Sequence, residues 1–424
     1  MESLPNEVLC AVLELLPPEH VAVAARTCRR WWGCSPLSLR SRLSRRALQA
    51  RCKVLAQWSR EEGCAWDELT CMLMASEGRL DLLQWARQGE QKCPWDSRTC
   101  EAAAEAGHFE LLRWAIKEGC CFSQATAYAA VRGGHVDILR WAKEQGFYHN
   151  LFEVSELAAL HAAAAGGNLE VLQWLCREQG CTMNEMATNA AARGGHFAVL
   201  RWAVEEGGCT LTEETCLRLV QNGSLDMLRW ARVEKHVEWD ERSICMEAAT
   251  YGQLHILQWM FGDREAACRL SLLMQQGFTK RLYMEAAYFG HLHVLRWLHR
   301  RHQQQEGEKD AWKDACICRD AAKSGKLEVL QWLKKKGCPW DAAVCSVAAE
   351  YGHLKVLQWA RANGCPWSED ACAAAALYGR LHMLKWLRKN GCPWDDRTVA
   401  VARTAGFQEI VEWALANGCP EQIT

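Results

Sequence analysis

Apolar residues along most of this chain come in short bursts separated by glycine, and the bursts are of two alternating kinds. In one kind, such as AAVCSVAAEY (342–351), the apolar positions are small. In the other, such as LKVLQWARAN (354–363), Leu354, Val356, Leu357 and Trp359 cover more than half of a helical circumference. A face that wide predicts a helix covered on both sides. Ala348 and Ala349 in the preceding burst would let a neighbour approach closely. The pattern predicts helix pairs stacked on one another: an all-α solenoid.

Tryptophan sets the period. A Trp two or three positions after a Leu or Val recurs at 58, 85, 114, 141, 174, 202, 230, 259, 297, 332, 359, 386 and 413, with a commonest spacing of 27 residues. Every one after the first has a Gly seven residues before it, from Gly78 to Gly406. Six more Trp (66, 95, 239, 340, 367, 394) sit in a second motif, best read as GCPWD. Residues 46–424 thus read as twelve full repeats and a leading half, with residues 1–45 as a separate module.

The unit from Gly337 to Gly364 shows how one repeat is punctuated. Gly337 is suited to end a helix in the left-handed conformation, and Pro339 prevents the helix resuming. Asp341 is a candidate N-cap, as are Asp67, Asp96, Asp240, Ser368 and Asp395 in sister repeats. Glu68, Glu241, Glu369 and Asp396 follow in first turns, where the helix dipole favours acids. Gly352 and His353 form the turn between the two helices. Three repeats are stretched, at Gly146–Ala158, Gly262–Leu282 and Arg300–Asp314. The second contains an apolar pattern (CRLSLLM) suggestive of an extra helix, and the third, RRHQQQEGEKD, reads as a solvated loop.

Composition adds limits. The net charge of −1 on 424 residues speaks against nucleic-acid binding, which needs a basic excess. One basic stretch, His20 to Arg60, holds ten Lys or Arg and no acid; it is either a solvated helical face or a docking patch for an acidic partner. No charge-free apolar run approaches the roughly 18 residues of a membrane span. The start, MESLPNEVLC, lacks a secretory pattern, so the 24 Cys are expected to be reduced thiols in cytoplasm or nucleus. Cys pairs seven apart (64/71, 93/100, 209/216, 338/345, 365/372) lack zinc spacing and read as small apolar packing residues. Histidines at the turn (108, 135, 196, 291, 353) alternate with Arg79, Asn168 and Phe407 at equivalent positions, which marks them as turn residues rather than bases. No P-loop, GxGxxG, HExxH or GxSxG motif occurs, so no catalytic residue, metal or cofactor is expected.

The segments AAEYGHLKVLQWARANG (348–364) and AAEAGHFELLRWAIKEG (103–119) resemble the ankyrin repeat. The unit is about six residues short of the usual one and lacks TPLH, so little or no β-hairpin finger is expected. Shortened, Trp-rich units of this kind are similar to those of ankyrin-like proteins in large DNA viruses and some protists; in the former case the location would be the host cell. The segment LPNEVLCAVLELLPPEHVAVAARTCRRWW (4–32) resembles the F-box, which binds a Skp1-type adaptor. The resemblance implies that Leu4, Pro5, Val8, Leu9, Val12, Leu13, Leu16, Pro17 and Trp31 serve that contact. His20-Val21 and Thr27 depart from the usual F-box residues.

In ankyrin-type stacks the two positions before the GH turn face the partner. Read along this chain, those pairs are Glu105-Ala106, Val131-Arg132, Ala192-Arg193, Thr250-Tyr251, Tyr288-Phe289, Lys323-Ser324, Glu350-Tyr351 and Leu377-Tyr378. Four of the seven Tyr fall here, which nominates Tyr251, Tyr288, Phe289, Tyr351 and Tyr378 as target-binding residues; the alternative is that they pad the space between neighbouring helices. The functional expectation is a non-catalytic substrate receptor of an SCF-type ubiquitin ligase. It would be monomeric by itself, hold a Skp1-type adaptor and cullin complex at one end and bind a target protein along the repeats. The alternative is a binding scaffold or decoy whose N-terminal helices only cap the solenoid.

Overall fold

A computed structural model describes residues 66–88, 92–147, 156–262, 277–304 and 312–420. Among them are 24 α-helices and no strand. The helices fall into twelve consecutive pairs. The chain divides into two compact units, Met1–Thr210 and Leu211–Thr424. Unit one runs from the pair Glu68–Ser76 and Leu80–Ala86 to the pair Glu185–Gly194 and Phe197–Glu205. Unit two runs from the pair Glu213–Asn222 and Leu225–Val233 to the pair Asp396–Thr404 and Gln408–Ala416. Within each unit the first helices of successive repeats pack side by side, and each second helix packs on its own first helix. No described helix is long and apolar enough to cross a membrane.

Alanine pairs make this close layering possible. Ala348 and Ala349, with Ala375 and Ala376 in the next repeat, are fully buried, as are Ala103 and Ala104 in unit one. The second helices bury their Leu and Val, such as Val356 and Leu357, between layers. No finger is present among the described residues, so side-chain contacts at the turns carry the joints between repeats.

The first joint is the glycine turn. Every glycine that precedes the repeating Trp has positive φ, for example Gly107 at 75° and Gly352 at 83°, a conformation that costs an L-residue about 1–2 kcal/mol. At most of these turns space demands glycine as well. A Cβ on Gly107 would lie 2.3 Å from Cε1 of His135, and one on Gly325 would lie 2.6 Å from Nδ1 of His353. Those rings press against the preceding turn because each donates Nε2–H to a carbonyl at the end of the preceding first helix. His108 reaches Ser76 O at 3.1 Å, His135 reaches Glu105 O at 3.1 Å and His196 reaches Ala165 O at 2.9 Å. In unit two His291 reaches Thr250 O at 2.8 Å and His353 reaches Lys323 O at 3.0 Å. Asn168 and Gln253 make the same bond with amide nitrogens. The turn histidines are therefore staples between repeats. Amides can replace them because a single N–H donor suffices.

The second joint uses both Trp classes. Within one repeat Trp340 meets Trp359 edge to face at 5.8 Å, and Trp367–Trp386 and Trp394–Trp413 make the same contact in theirs at 6.2 and 6.0 Å. In several repeats a cation two residues after the second-helix Trp lies over the ring that opens the next repeat, with Arg361 4.1 Å from Trp367 and Arg388 4.1 Å from Trp394. Arg361 also donates to Cys365 O at 3.2 Å, closing the turn. Arg87 treats Trp95 and Cys93 O in the same way.

Cysteines form the third joint, in a different pairing from the seven-residue one. The thiols that meet belong to successive repeats: Cys71 donates to Cys93 at 3.1 Å and Cys100 to Cys120 at 2.8 Å. Cys318/Cys338, Cys345/Cys365 and Cys372/Cys392 are also in hydrogen-bond contact. The loop thiol in turn donates to the carbonyl that starts the preceding first helix, as Cys120 does to Asp96 O at 3.4 Å and Cys365 to Asp341 O at 3.4 Å. Donation to the loop thiol, then burial, pushes the Cys71 and Cys100 thiols up. All described cysteines are free thiols.

Several expectations need correction. Asp67, Asp96 and Asp240 cap their helices, whereas Asp341, Ser368 and Asp395 make no side-chain cap bond. Asp395 turns instead to Arg397 at 2.6 Å, and the Ser368 hydroxyl donates to Asp370 at 3.1 Å. Ser123, Asn184, Thr212 and Asp314 cap where no cap was expected. The stretch Arg300–Asp314 begins as helix: Leu292–Gln304 is continuous, His302 is buried edge to face against Tyr283, and Trp312 is buried beside His299. Two aromatic neighbours outweigh the polar composition there. Most of the other stretched segments (148–155 and 263–276) and the module 1–45 lie outside the described residues.

Candidate functional site

First helices bury one stripe and leave the other open. In Ala342–Tyr351 the buried stripe is Val344, Cys345, Ala348 and Ala349, so Ser346, Val347 and Glu350 fall on the remaining circumference. The C-terminal ends of these helices, just before the glycine turn, are the most open. Tyr251 is 47% exposed, Phe289 42%, Tyr351 40% and Tyr378 49%, while Tyr288 is half-buried. All five nominated residues therefore reach the surface of unit two in its first-helix layer, four of them directly before the turn glycine and Tyr288 one position earlier.

They are not isolated. Tyr288 meets Phe289 edge to face at 5.0 Å. The Lys323 ammonium lies over two rings from the repeats on either side, 5.8 Å from Tyr288 and 5.4 Å from Tyr351. Tyr378 donates its hydroxyl to Glu350, and the loss of that bond on ionisation, with the nearby negative charge, raises the phenol above its ordinary value. Tyr283, absent from the nominated set, is fully buried and its phenol is pushed up by burial. It is a core residue.

Unit one uses the same positions differently. Glu105 and Arg132 pair with each other at 3.1 Å, and Gly133, Gly166 and Gly194 stand directly before the turn glycine. That extra glycine shifts the register by one. Val131 and Ala192, expected on the partner-facing side, are fully buried, and Arg132 and Arg193 take the open position. A groove of about 590 Å³ between two second helices of this unit is lined by Asp137, Arg140, Glu170, Arg177 and others. Its charges are partly spent on one another, as in Arg140–Glu178 at 2.7 Å. Among the described residues no group of three or more His, Cys, Asp or Glu is placed to hold a metal.

The helix-pair stack and its turns agree with the family matches. Residues 71–187 match ankyrin repeats in three copies, and residues 1–46 match the F-box-like family. The chain carries an F-box-like module and ankyrin repeats. Modules of these two kinds are typically non-catalytic and serve protein interaction. No curated protein matches the sequence. Among solved structures, the pentatricopeptide repeat protein PPR10 in complex with an 18-nt psaJ RNA element is 13% identical, with a TM-score of 0.28 over 98% of this chain and 63% of that one. PPR10 from maize is 15% identical, with a TM-score of 0.26 over 100% and 65%. This chain thus spans less than two thirds of those proteins, and scores so low carry no argument about fold or ligand.

Proposed function

We propose that this protein is the substrate-receptor subunit of an SCF-type ubiquitin ligase and performs no catalysis itself. The F-box-like module at residues 1–46, ahead of a stack of interaction repeats, carries this reading. In it, Leu4, Pro5, Val8, Leu9, Val12, Leu13, Leu16, Pro17 and Trp31 contact a Skp1-type adaptor and, through it, a cullin. The open first-helix ends of the repeats hold a target protein through Tyr251, Tyr288, Phe289, Tyr351 and Tyr378. Rigid helices position those aromatics at low entropic cost, which suits hot-spot residues. Tethering the two partners would raise the effective concentration of ligase at its target. The setting would be cytoplasmic or nuclear.

Co-purification of the full chain with a Skp1-type adaptor tests the reading. Wild type is expected to retain the adaptor, and Leu9→Asp with Leu13→Asp to release it. A wild-type chain that retains no adaptor, or a variant that retains it fully, leaves only the scaffold reading.

A further inference from the structure

The aromatic face has an electrostatic companion that its proposed role does not use. Glu247, Glu285 and Asp320 occupy the same position in three successive first helices, five residues before the turn glycine, and Glu350 follows one turn further on in the next repeat. All four are half-buried. Glu247 accepts from Gln221 Nε2 at 2.5 Å and Glu350 from Tyr378. Neither bond brings a positive charge. Among the described residues none of the four is in an ion pair, although acids elsewhere in unit two are, such as Asp314 with Lys280 at 2.5 Å. The Asp320 carboxyl is raised by burial and by Glu285 nearby, with Lys323 and Arg319 opposing.

Lys323 shows what such a face accommodates. Its ammonium lies over Tyr288 and Tyr351 and near Asp320. That is a cation between aromatic faces with a carboxylate at its edge, the combination that ring quadrupoles and acids favour together. Among the described residues the repeats supply the same ingredients again with no cation lying over the ring: Tyr251 four residues after Glu247, and Tyr378 bonded to Glu350. From these juxtapositions we infer that the first-helix face of residues 241–378 binds a basic segment of the target protein, its Lys or Arg side chains entering the aromatic–carboxylate slots repeat by repeat. Packed helices stand about 8–10 Å apart, and an extended chain covers about 3.3 Å per residue. A basic residue at every third position would therefore match the slots. This inference rests on the reading that the repeats hold a protein.

The test is fluorescence anisotropy of the full chain with labelled twelve-residue peptides: Lys-Gly-Ser repeated four times, its Glu-Gly-Ser counterpart and a proline-rich peptide. The lysine peptide is expected to bind at least tenfold more tightly than either of the others. Tyr351→Ser with Tyr378→Ser, and separately Glu350→Gln with Asp320→Asn, are each expected to weaken it fivefold or more while helical circular dichroism is unchanged. Lys323→Met, which vacates the slot between Tyr288 and Tyr351, is expected to tighten it several-fold. Comparable binding of the glutamate or proline-rich peptide, or lysine-peptide binding indifferent to these substitutions, would overturn the inference. The Leu9→Asp, Leu13→Asp chain should bind the peptide as wild type does, so failure at the adaptor end and failure at this face are read separately.

Discussion

Two glycines in the ninth helix pair separate what backbone conformation demands from what the neighbouring repeat demands. Gly325 (φ 74°) and Gly337 (φ 84°) are both left-handed, but a Cβ at Gly337 meets nothing within 4 Å, while one at Gly325 lies 2.6 Å from His353 Nδ1. Gly337→Ala should therefore cost the conformational strain alone, about 1–2 kcal/mol. Gly325→Ala carries the same strain and must also displace the His353 ring, breaking its 3.0 Å bond to Lys323 O. Loss of that bond adds about 0.5–1.5 kcal/mol, for a total of about 1.5–3.5 kcal/mol. In a His353→Ala background no ring remains to displace, and the cost of Gly325→Ala should fall to that of Gly337→Ala. The measurement is urea unfolding by far-UV circular dichroism in reductant, with native-state hydrogen exchange at residues 323–330 because a repeat array need not unfold in one step. Equal costs for the two glycines, or no relief from His353→Ala, would refute the claim that the turn histidine is an inter-repeat staple.

Other expectations follow from the same joints. His236 is the only described non-glycine residue with positive φ, at 52°, and takes the place of the glycine that ends other second helices; His236→Gly should stabilise the chain by about 1 kcal/mol in the same urea assay. Arg361→Ala removes both the contact with Trp367 and the donor to Cys365 O, so a loss of about 1–2 kcal/mol is expected, with Arg361→Lys intermediate because it keeps a cation without the planar fork. Burial lowers His291 and His299 below the ordinary value of 6.5, Lys326 and His293 adding to the effect at His291 and Lys336 at His299. The unfolded chain then binds protons first as pH falls, so stability should be full above pH 6.5 and decline below it. His291→Gln should flatten that slope, and an unchanged slope would remove His291 as its source.

The amino-acid sequence by itself determined the repeating unit. Glycine seven residues before tryptophan, small residues in one burst and large ones in the next leave few structures other than stacked helix pairs, because each signal is local and recurs at a fixed offset. The helix Ala342–Tyr351 was legible to the residue, and the five nominated aromatics all reach one face of unit two, because helical phase converts position into direction. What links one repeat to the next was not legible. The thiol that meets Cys71 is Cys93, 22 residues on, and the group that fills the space beside Gly78 is His108. Sequence spacing marked the thiols as packing residues but not which of them meet, since distance along the chain says nothing about distance across a layer. The shifted register at Val131 and Ala192, the buried His302 and the uncapped Asp341 were settled in the same way. At each, a neighbour from elsewhere in the chain, or one extra residue in the turn, outweighed the local preference. Local pattern decided which segments are helices. Packing between repeats decided which side chains are spent on the joints and which remain open for a partner.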